Sequence, residues 1–398
     1  MSTAVNVEIG PNIFWVGVED WKRRIFDALI PLPYGTSYNA YLVLGKDKTA
    51  LIDTTNPGFE DALVEKITKL VKPEKIDYLV MNHAEPDHAG AIPRVLSICT
   101  NAKLITTKKG TEMAGVFYDV PPERTISVKE GDVLELGGKT LRFIEAPWLH
   151  WPETMFTYCV EDRVLFPCDF FGAHIASEKL FDDEVGAILL PEAKRYYAEI
   201  MMPFPIPIQR ALDKVAKLDV KVIAPSHGPI YRNPKQIIEA YEKWARGPLE
   251  RKAVILYVSM WGSTEILQKT IAEAISSEGV KPVEYNLVTA DVSHIARDLV
   301  DASAIIIGSP TVLGGTHPLV AYAVELIRLL KPRAKLALVF GSYGWSGAAV
   351  NKIKDLLQPM GFEILETIEI RGPPKKADLE RAVNLGKLVA KRVKEAGA

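Results

Sequence analysis

The stretch from Ile76 to His88 reads IDYLVMNHAEPDH and is the most informative part of the sequence. An apolar, β-branched run that is typical of a buried strand leads directly into residues with the spacing H-x-E-x-D-H. These potential metal ligands are His83, Glu85, Asp87 and His88. Two carboxylates this close repel each other in a partly buried loop, whereas a bound cation keeps both ionised. The stretch therefore predicts a strand, then a metal site, then a helix from about Ala89.

The same arrangement recurs three times farther along the chain. Predicted strands lead, each within a few residues, to His150, Asp169 and His227. Ligands that directly follow strands lie together at one edge of an α/β scaffold, where the strands hold them rigidly. We therefore expect four imidazoles and three carboxylates to meet at a single site.

Seven ligands are too many for one tetrahedral ion, so the set predicts a two-metal centre. The set contains no thiolate and more carboxylate than structural zinc sites use, which favours iron or manganese. The alternative is that each histidine is an ordinary core or surface group, which suits a lone histidine better than this cluster. We apply that interpretation to His294 and His317, while His174 could either support the ligands or simply be packed.

Charge and composition exclude several classes of protein. The 398 residues carry 48 Lys and Arg against 50 Asp and Glu, so the basic surface of a nucleic-acid binder is not expected. No apolar run approaches the roughly 20 residues that span a bilayer, and the start lacks the pattern of a secretory signal. The cysteines form no C-x-x-C pair, which excludes a disulfide scaffold. We expect a cytoplasmic protein with no membrane partner.

The pattern of predicted strands and helices changes near residues 244–252. This change predicts a first domain over residues 1–250 and a second over 251–398. In the first domain, two long helices between Asp182 and Lys217 are expected to be interrupted by the proline-rich segment Met202–Pro207. In the second, strands alternate regularly with helices and end with a predicted strand at Ile364–Ile370. This alternation predicts a doubly wound parallel sheet of flavodoxin size.

Three loops rich in small residues follow strands of the second domain. Their residues are Ser259, Met260, Trp261, Gly262, Ser263 and Thr264; then Ser309, Pro310, Thr311, Val312, Leu313 and Gly314; then Ser342, Tyr343, Gly344, Trp345, Ser346 and Gly347. Hydroxyls and free N–H groups at a helix N-terminus favour a phosphate, and the aromatic residues favour a flat ring. The absence of a P-loop lysine and of G-x-G-x-x-G disfavours nucleoside triphosphates and dinucleotides. The alternative is three ordinary strand–helix turns.

Together these residues resemble the metallo-β-lactamase fold, in which the usual signature is H-x-H-x-D-H and Glu85 here replaces the middle histidine. Joined to a flavodoxin-like domain, the pattern is similar to the flavodiiron proteins (A-type flavoproteins). The resemblance implies an N-terminal metallo-β-lactamase-like αββα sandwich, FMN and two iron ions. It further implies that one iron is held by His83, Glu85 and His150, and the other by Asp87, His88 and His227, with Asp169 bridging. The residues themselves leave open which ligands share an ion.

The same resemblance implies a gas-reducing oxidoreductase that converts dioxygen to water, nitric oxide to nitrous oxide, or both. It implies a head-to-tail homodimer or a homotetramer. The sequence ends without a cysteine-rich rubredoxin extension, so we expect an external electron donor: a rubredoxin, a deazaflavin or a flavin reductase. Two alternatives remain at this point: a two-zinc hydrolase with an accessory flavodoxin-like domain, and a plain electron carrier whose metals are structural.

Overall fold

The computed structural model describes residues 6–396, and its two compact units meet between Ala245 and Arg246. The division falls at the end of the helix Pro234–Arg246, and the next strand begins at Glu250. Gly247 and Pro248 lie between them, and this pair of residues does not continue a helix. Each unit is described separately below.

Strands in the first unit form two sheets and two small ribbons. They are β1 (Val7–Gly10), β2 (Ile13–Trp15), β3 (Val18–Asp20), β4 (Ile25–Phe26), β5 (Ile30–Pro31), β6 (Thr36–Tyr38), β7 (Tyr41–Leu44), β8 (Thr49–Ile52), β9 (Tyr78–Val80), β10 (Lys103–Thr107), β11 (Thr125–Val128), β12 (Val133–Glu135), β13 (Thr140–Glu145), β14 (Met155–Cys159), β15 (Val164–Phe166) and β16 (Val222–Ile223). The first sheet has the order β1-β2-β7-β8-β9-β10-β11 and the second β12-β13-β14-β15-β16, while β3 pairs with β6 and β4 with β5.

Helices cover the outer faces of these two sheets. They are α1 (Glu60–Leu70), α2 (Pro86–Ala89), α3 (Ile92–Ile98), α4 (Lys108–Tyr118), α5 (Asp182–Val185), α6 (Leu189–Tyr196), α7 (Pro205–Val215) and α8 (Pro234–Arg246). Single 3₁₀ turns cover Pro73–Lys75 and Pro122–Arg124, and a π-helical turn covers Tyr197–Met201.

Strand β8 shows how the sequence builds the layers, because its side chains alternate between two cores. Ala50 and Ile52 pack between the two sheets, whereas Leu51 packs with the helices on the outer face of the first sheet. On the outer face of the second sheet, the ring of Tyr241 from α8 lies 5.0 Å from Phe170, which stacks on Phe156 of β14 at 5.7 Å. The order helix, sheet, sheet, helix confirms the predicted sandwich.

The prediction for the proline-rich segment is wrong in its bounds. Helix α7 begins at Pro205, so only Met202–Phe204 separate it from the preceding helical turn. A helix tolerates proline in its first turn because the N–H groups there have no partner within the helix. The long helix expected from Asp182 is also divided into α5 and α6, since Gly186 between them has a φ of +83°.

The second unit is a parallel sheet with helices on both faces. Its strands are β17 (Glu250–Tyr257), β18 (Lys281–Asn286), β19 (Ala302–Val312), β20 (Gly315–Thr316), β21 (Leu336–Tyr343), β22 (Glu363–Ile364) and β23 (Ile368–Arg371). Its helices are α9 (Ser263–Ser277), α10 (Val292–Leu299), α11 (Pro318–Leu330), α12 (Ala349–Leu357) and α13 (Lys376–Ala396), with a 3₁₀ turn at Gln358–Met360. The main order, β18-β17-β19-β21-β22, is the flavodoxin-like order and confirms the predicted doubly wound sheet.

One predicted strand of this unit is wrong, and one helix was not predicted. Ile364–Ile370 is divided into β22 and β23, both of which pair with β21. Helix α13 packs beside α9, and Gly386 allows their close approach, because a Cβ there would lie 2.7 Å from the carbonyl oxygen of Ile271. The small residue is therefore required by the packing of two helices.

Candidate functional site

The predicted metal ligands all lie beyond the ends of strands in the first unit, and the structure brings them together. His83 and Glu85 follow β9, and His150, Asp169 and His227 follow β13, β15 and β16. Asp87 and His88 lie on the short helix α2, so the helix expected from Ala89 begins earlier, at Pro86. The seven side chains form two groups that share one carboxylate.

The first group, called here the first metal position, contains His83, Glu85 and His150. Glu85 Oε2 lies 3.1 Å from His83 Nε2 and 2.9 Å from His150 Nε2. Asp169 Oδ2 faces the same two nitrogens at 3.5 and 3.7 Å. Two imidazole nitrogens and two carboxylate oxygens thus converge on one small volume, as the ligands of a metal ion do.

The second group, called here the second metal position, contains Asp87, His88 and His227. His88 Nε2 lies 3.3 Å from Asp87 Oδ1, and His227 Nε2 lies 3.1 Å from Asp87 Oδ2. Asp169 Oδ1 faces these nitrogens at 3.0 and 3.6 Å. Asp169 therefore presents one oxygen to each position, which is the arrangement of a bridging carboxylate.

Unpartnered buried atoms at the second position test whether a metal fits. Within the described residues, both carboxylate oxygens of Asp87 and the Nδ1 atom of His88 lack a hydrogen-bond partner. Both residues are buried, and a buried carboxylate without a hydrogen bond or a counter-charge is costly. A cation between them satisfies both groups, so the residues present fit a metal ion.

The electrostatics of the cluster also favour positive charge. Burial opposes protonation of His88, but Asp87 and Asp169 raise its pKa to about 9. Burial would raise the pKa of Asp169, yet the neighbouring His88, His83 and His227 hold it well below its usual range. The polypeptide thus keeps its carboxylates ionised and attracts cations to this place.

Glu153 belongs to the site, although it was not predicted. Its Oε1 lies 2.7 Å from His83 Nδ1 and accepts a hydrogen bond of 2.8 Å from the backbone N–H of Ala84. Burial favours the protonated acid, but the hydrogen bond to His83 lowers the pKa of Glu153 below its usual value. The available signal was a glutamate three residues after His150 in an otherwise apolar stretch.

The structure also places the histidines whose role was open or considered ordinary. His174 is buried, with Nδ1 3.0 Å from Thr36 Oγ1 and its ring centroid 4.8 Å from that of His227. It therefore packs behind a ligand and lies outside both metal positions. His294 lies on α10, and His317 precedes α11, where its side chain accepts a hydrogen bond from the backbone of Leu319.

In the second unit, the first of the predicted loops lies at the start of α9, a place called here the phosphate cradle because a phosphate would fit there. The helix begins at Ser263, and Gly262 before it has a φ of +87° and provides no side-chain cap. Ser259 Oγ accepts hydrogen bonds from the N–H groups of Gly262 and Glu265. Ser259 thus accepts from one N–H group of the first turn of α9, and the other N–H groups of that turn are donors that a phosphate satisfies.

The second and third loops are shorter than predicted. Pro310, Thr311 and Val312 belong to β19, which turns at Leu313 and Gly314 into β20. Both turn residues have positive φ, as a two-residue hairpin turn requires. Strand β21 likewise extends to Tyr343. Ser342 and Tyr343, which were predicted to lie in the third loop, therefore pair in parallel with β23. Backbone pairing here outweighs a composition that is typical of loops.

Hydrogen bonds join these three segments at one edge of the sheet. Thr264 Oγ1 lies 2.9 Å from Ser342 Oγ, and Thr311 Oγ1 accepts hydrogen bonds from the N–H groups of Ala348 and Ala349. Gly347 approaches Glu369 so closely that a Cβ would lie 2.5 Å from its Oε2. The first segment is thereby tied to the third, and the second segment to the start of α12.

Large apolar side chains surround this edge and are exposed. Trp261, Leu313 and Trp345 are 90, 99 and 86% exposed, and Met260 is half exposed. Such side chains are costly in water unless a ligand or a partner covers them. A phosphate cradle bordered by exposed aromatic rings fits a flavin mononucleotide.

Comparisons with known proteins agree with this geometry. Residues 36–228 match the family described as ODP family beta lactamase, and residues 255–386 match the flavodoxin family. The chain is 39% identical to a nitric oxide reductase of Moorella thermoacetica, over 97% of this chain and 98% of that protein. It is 34% identical to the rubredoxin-oxygen oxidoreductase of Megalodesulfovibrio gigas, over 95% of this chain and 96% of the relative.

A solved structure extends the similarity to three dimensions. The crystal structure of a protein from Giardia intestinalis, described as the flavodiiron protein, matches with a TM-score of 0.95 and 30% sequence identity. The match covers 100% of this chain and 98% of the other. The similarity therefore includes both units.

Proposed function

This chain belongs to the flavodiiron protein family, and we propose that it is an oxidoreductase that reduces dioxygen to water, nitric oxide to nitrous oxide, or both. FMN and two iron ions are its cofactors. The observation that carries the proposal is the pair of metal positions that share Asp169, because a two-electron metal pair needs two ions held at a fixed separation.

The residues of the first unit would hold the two ions in the arrangement described above. When bound and reduced, two ferrous ions would supply two electrons and FMN two more, which matches the four electrons that convert dioxygen to two waters. Coupling two nitric oxide molecules to nitrous oxide uses two electrons. The polypeptide itself fixes the ligands, excludes competing reactions and keeps the carboxylates charged.

Exposure of the ligands indicates where a gas enters. Glu85 and His150 have side chains that are each 13% exposed, whereas the other five ligand side chains are at most 6% exposed. The site is therefore open on the side of the first metal position and closed on the other sides. Dioxygen and nitric oxide are small molecules, which suits ligands as little exposed as Glu85 and His150.

The proposal also covers the electron donor and the oligomeric state of the protein. We infer an external donor, and the name of the Megalodesulfovibrio gigas relative supports a rubredoxin ahead of a deazaflavin or a flavin reductase. We also infer a head-to-tail homodimer, alone or within a homotetramer. The exposed Trp261, Leu313 and Trp345 support an interface at the flavin edge, because isolated chains rarely leave such side chains uncovered.

The proposal also includes the cellular location. Among the helices that the structure describes, none combines the length and the apolar character that crossing a bilayer requires. Cys99, Cys159 and Cys168 are buried free thiols, as is common where the surroundings are reducing. From these free thiols we propose a cytoplasmic location.

The test is metal and flavin analysis followed by gas titration of the full chain. Protein purified without oxygen is expected to contain two irons and one FMN per chain. After full reduction it should consume dioxygen or nitric oxide in separate titrations, with rubredoxin, deazaflavin and flavin reductase compared as donors. Two zinc ions with hydrolytic activity, or a loaded protein that consumes neither gas, would contradict the proposal. Sedimentation of an active monomer would contradict the dimer alone.

A further inference from the structure

The two metal positions have the same types of ligand but different surroundings. Each position offers two imidazoles and one carboxylate of its own, and each faces one oxygen of Asp169. Formal ligand charge therefore does not distinguish them. Any difference between the two ions must come from the groups that hydrogen-bond to the ligands.

At the first position, the carboxylate of Glu153 lies next to the imidazole of the ligand His83. Glu153 Oε1 lies 2.7 Å from His83 Nδ1, which leaves Nε2 directed at the metal position. Glu153 is 1% exposed, and within the described residues its Oε2 makes no hydrogen bond. This negative charge is thus poorly screened, and it makes His83 a more basic and more strongly donating ligand.

At the second position, the imidazoles lack this support. His227 Nδ1 lies 2.6 Å from the carbonyl oxygen of Ser37, a neutral acceptor. His88 Nδ1 makes no hydrogen bond within the described residues. Neither histidine is therefore backed by a charge.

The shared carboxylate adds to the difference. Tyr196 Oη and Ser226 Oγ donate hydrogen bonds of 2.8 and 3.0 Å to Asp169 Oδ1, the oxygen that faces the second position. Asp169 Oδ2 faces the first position, and its neighbour is the weak thiol donor of Cys168 at 4.0 Å. Hydrogen bonds withdraw electron density from a carboxylate oxygen, so Oδ2 is the stronger ligand atom.

We propose that the two positions are electronically unequal, with Glu153 making the first position richer in electrons and the Tyr196 and Ser226 hydrogen bonds making the second poorer. The inference rests on the proposed function, because it concerns the two irons. The first position accordingly binds its iron more tightly and gives up an electron at lower potential. Glu153, Tyr196 and Ser226 are positioning residues that act through the ligands.

Two conservative variants separate the contributions. Glu153→Gln keeps an acceptor for His83 Nδ1 and the backbone of Ala84 but removes the charge. Tyr196→Phe removes one donor to Asp169 Oδ1 and keeps the buried ring. Glu112→Gln is the control, because Glu112 lines the same surface cavity of about 330 Å³ as Glu153 but lies on α4 away from the ligands.

Iron release to a chelator and the two midpoint potentials are measured on each FMN-loaded, two-iron protein. The wild type should release one iron slowly and one faster. Glu153→Gln should speed the slow release by about 10- to 100-fold and raise the lower potential. Tyr196→Phe should slow the fast release and lower the higher potential. Both variants thus reduce the difference between the two midpoint potentials, Glu153→Gln by raising the lower one and Tyr196→Phe by lowering the higher one. Glu112→Gln should match the wild type.

Unchanged potentials in both variants, or a wider gap in either, would overturn the inference. If Glu153→Gln purifies without iron, Tyr196→Phe alone decides, through the direction in which the higher potential moves. In Mössbauer spectra, each variant should change one of the two iron signals. The signal changed in Glu153→Gln should differ from the signal changed in Tyr196→Phe. A wild type with two irons and gas consumption supports the proposed function whichever way the variants behave.

Discussion

The metal centre and the flavin edge are built in opposite ways. Seven side chains form the proposed metal centre; five of them are almost fully buried, and each charged group depends on the others. The flavin edge depends on backbone N–H groups and small side chains, and its large residues, such as Trp261 and Leu313, are exposed. A buried charged site should therefore fail as a whole when one charge is lost, whereas an exposed cradle should weaken in small steps.

The largest effect expected from this contrast is that of Asp169→Asn. The amide keeps the shape but removes the one carboxylate that faces both metal positions, so the opposing imidazoles and ions lose their shared charge. Iron binding should weaken by more than about 100-fold at both positions, beyond the usual effect of losing a supporting residue. Metal analysis and the flavin absorbance of the same sample check it, and FMN should remain bound.

A matched control for that change is Asp61→Asn, which removes a carboxylate that is 93% exposed on α1. The control should retain both irons and FMN. If Asp169→Asn also retained both irons, or if it lost FMN together with them, the metal centre would not be the separate, mutually dependent unit described here.

How much the sequence reveals differs between the two sites for a physical reason. Ligand side chains are identifiable by type, and their position after strands brings them to one edge, so all the predicted ligands lie in the cluster. The supporting residues were not predicted, because their contacts join distant parts of the chain. In the sequence, nothing distinguishes Glu153 and Tyr196 from other residues of their types. Folding alone places Glu153 against His83 and Tyr196 against Asp169.

The flavin edge was predicted by composition, and there the bounds were wrong. Small residues and prolines are typical of loops, yet Pro310 pairs with Ser342 across neighbouring strands. The energy of continued parallel pairing comes from a partner strand about thirty residues away, which local composition does not record. Architecture and strand order were predictable because regular alternation of strands and helices leaves few topologies open.

A second prediction concerns pH and should separate the two cofactors. Without metal, Asp87 and Asp169 hold the pKa of His88 at about 9, so below that pH the imidazole must release a proton when iron binds. Over the range below about pH 9, iron affinity should therefore rise with pH, about tenfold per unit for each proton released. Chelator competition between about pH 7 and about pH 8.5 measures it.

FMN binding provides the internal comparison, because the phosphate is already ionised above its second pKa of about 6. FMN affinity should stay constant over the same range. Iron affinity that falls as pH rises, or that follows FMN, would show that protons do not compete for the metal ligands.

The smallest effect is expected at the flavin edge, from Thr264→Val. Thr264 is 1% exposed and its hydroxyl lies 2.9 Å from Ser342 Oγ, so the change removes one hydrogen bond within the cradle and leaves the volume filled. The loss should be about 1 kcal/mol, or about fivefold in FMN affinity, with iron content unchanged.

Thr270→Val is the control, because Thr270 lies on the same helix with its hydroxyl bonded to the carbonyl oxygen of Ile266. Fluorescence titration of flavin-free protein compares them. Complete loss of FMN in Thr264→Val, with Thr270→Val normal, would mean that the cradle depends on one side chain as the metal centre does, and the contrast between the two sites would not hold.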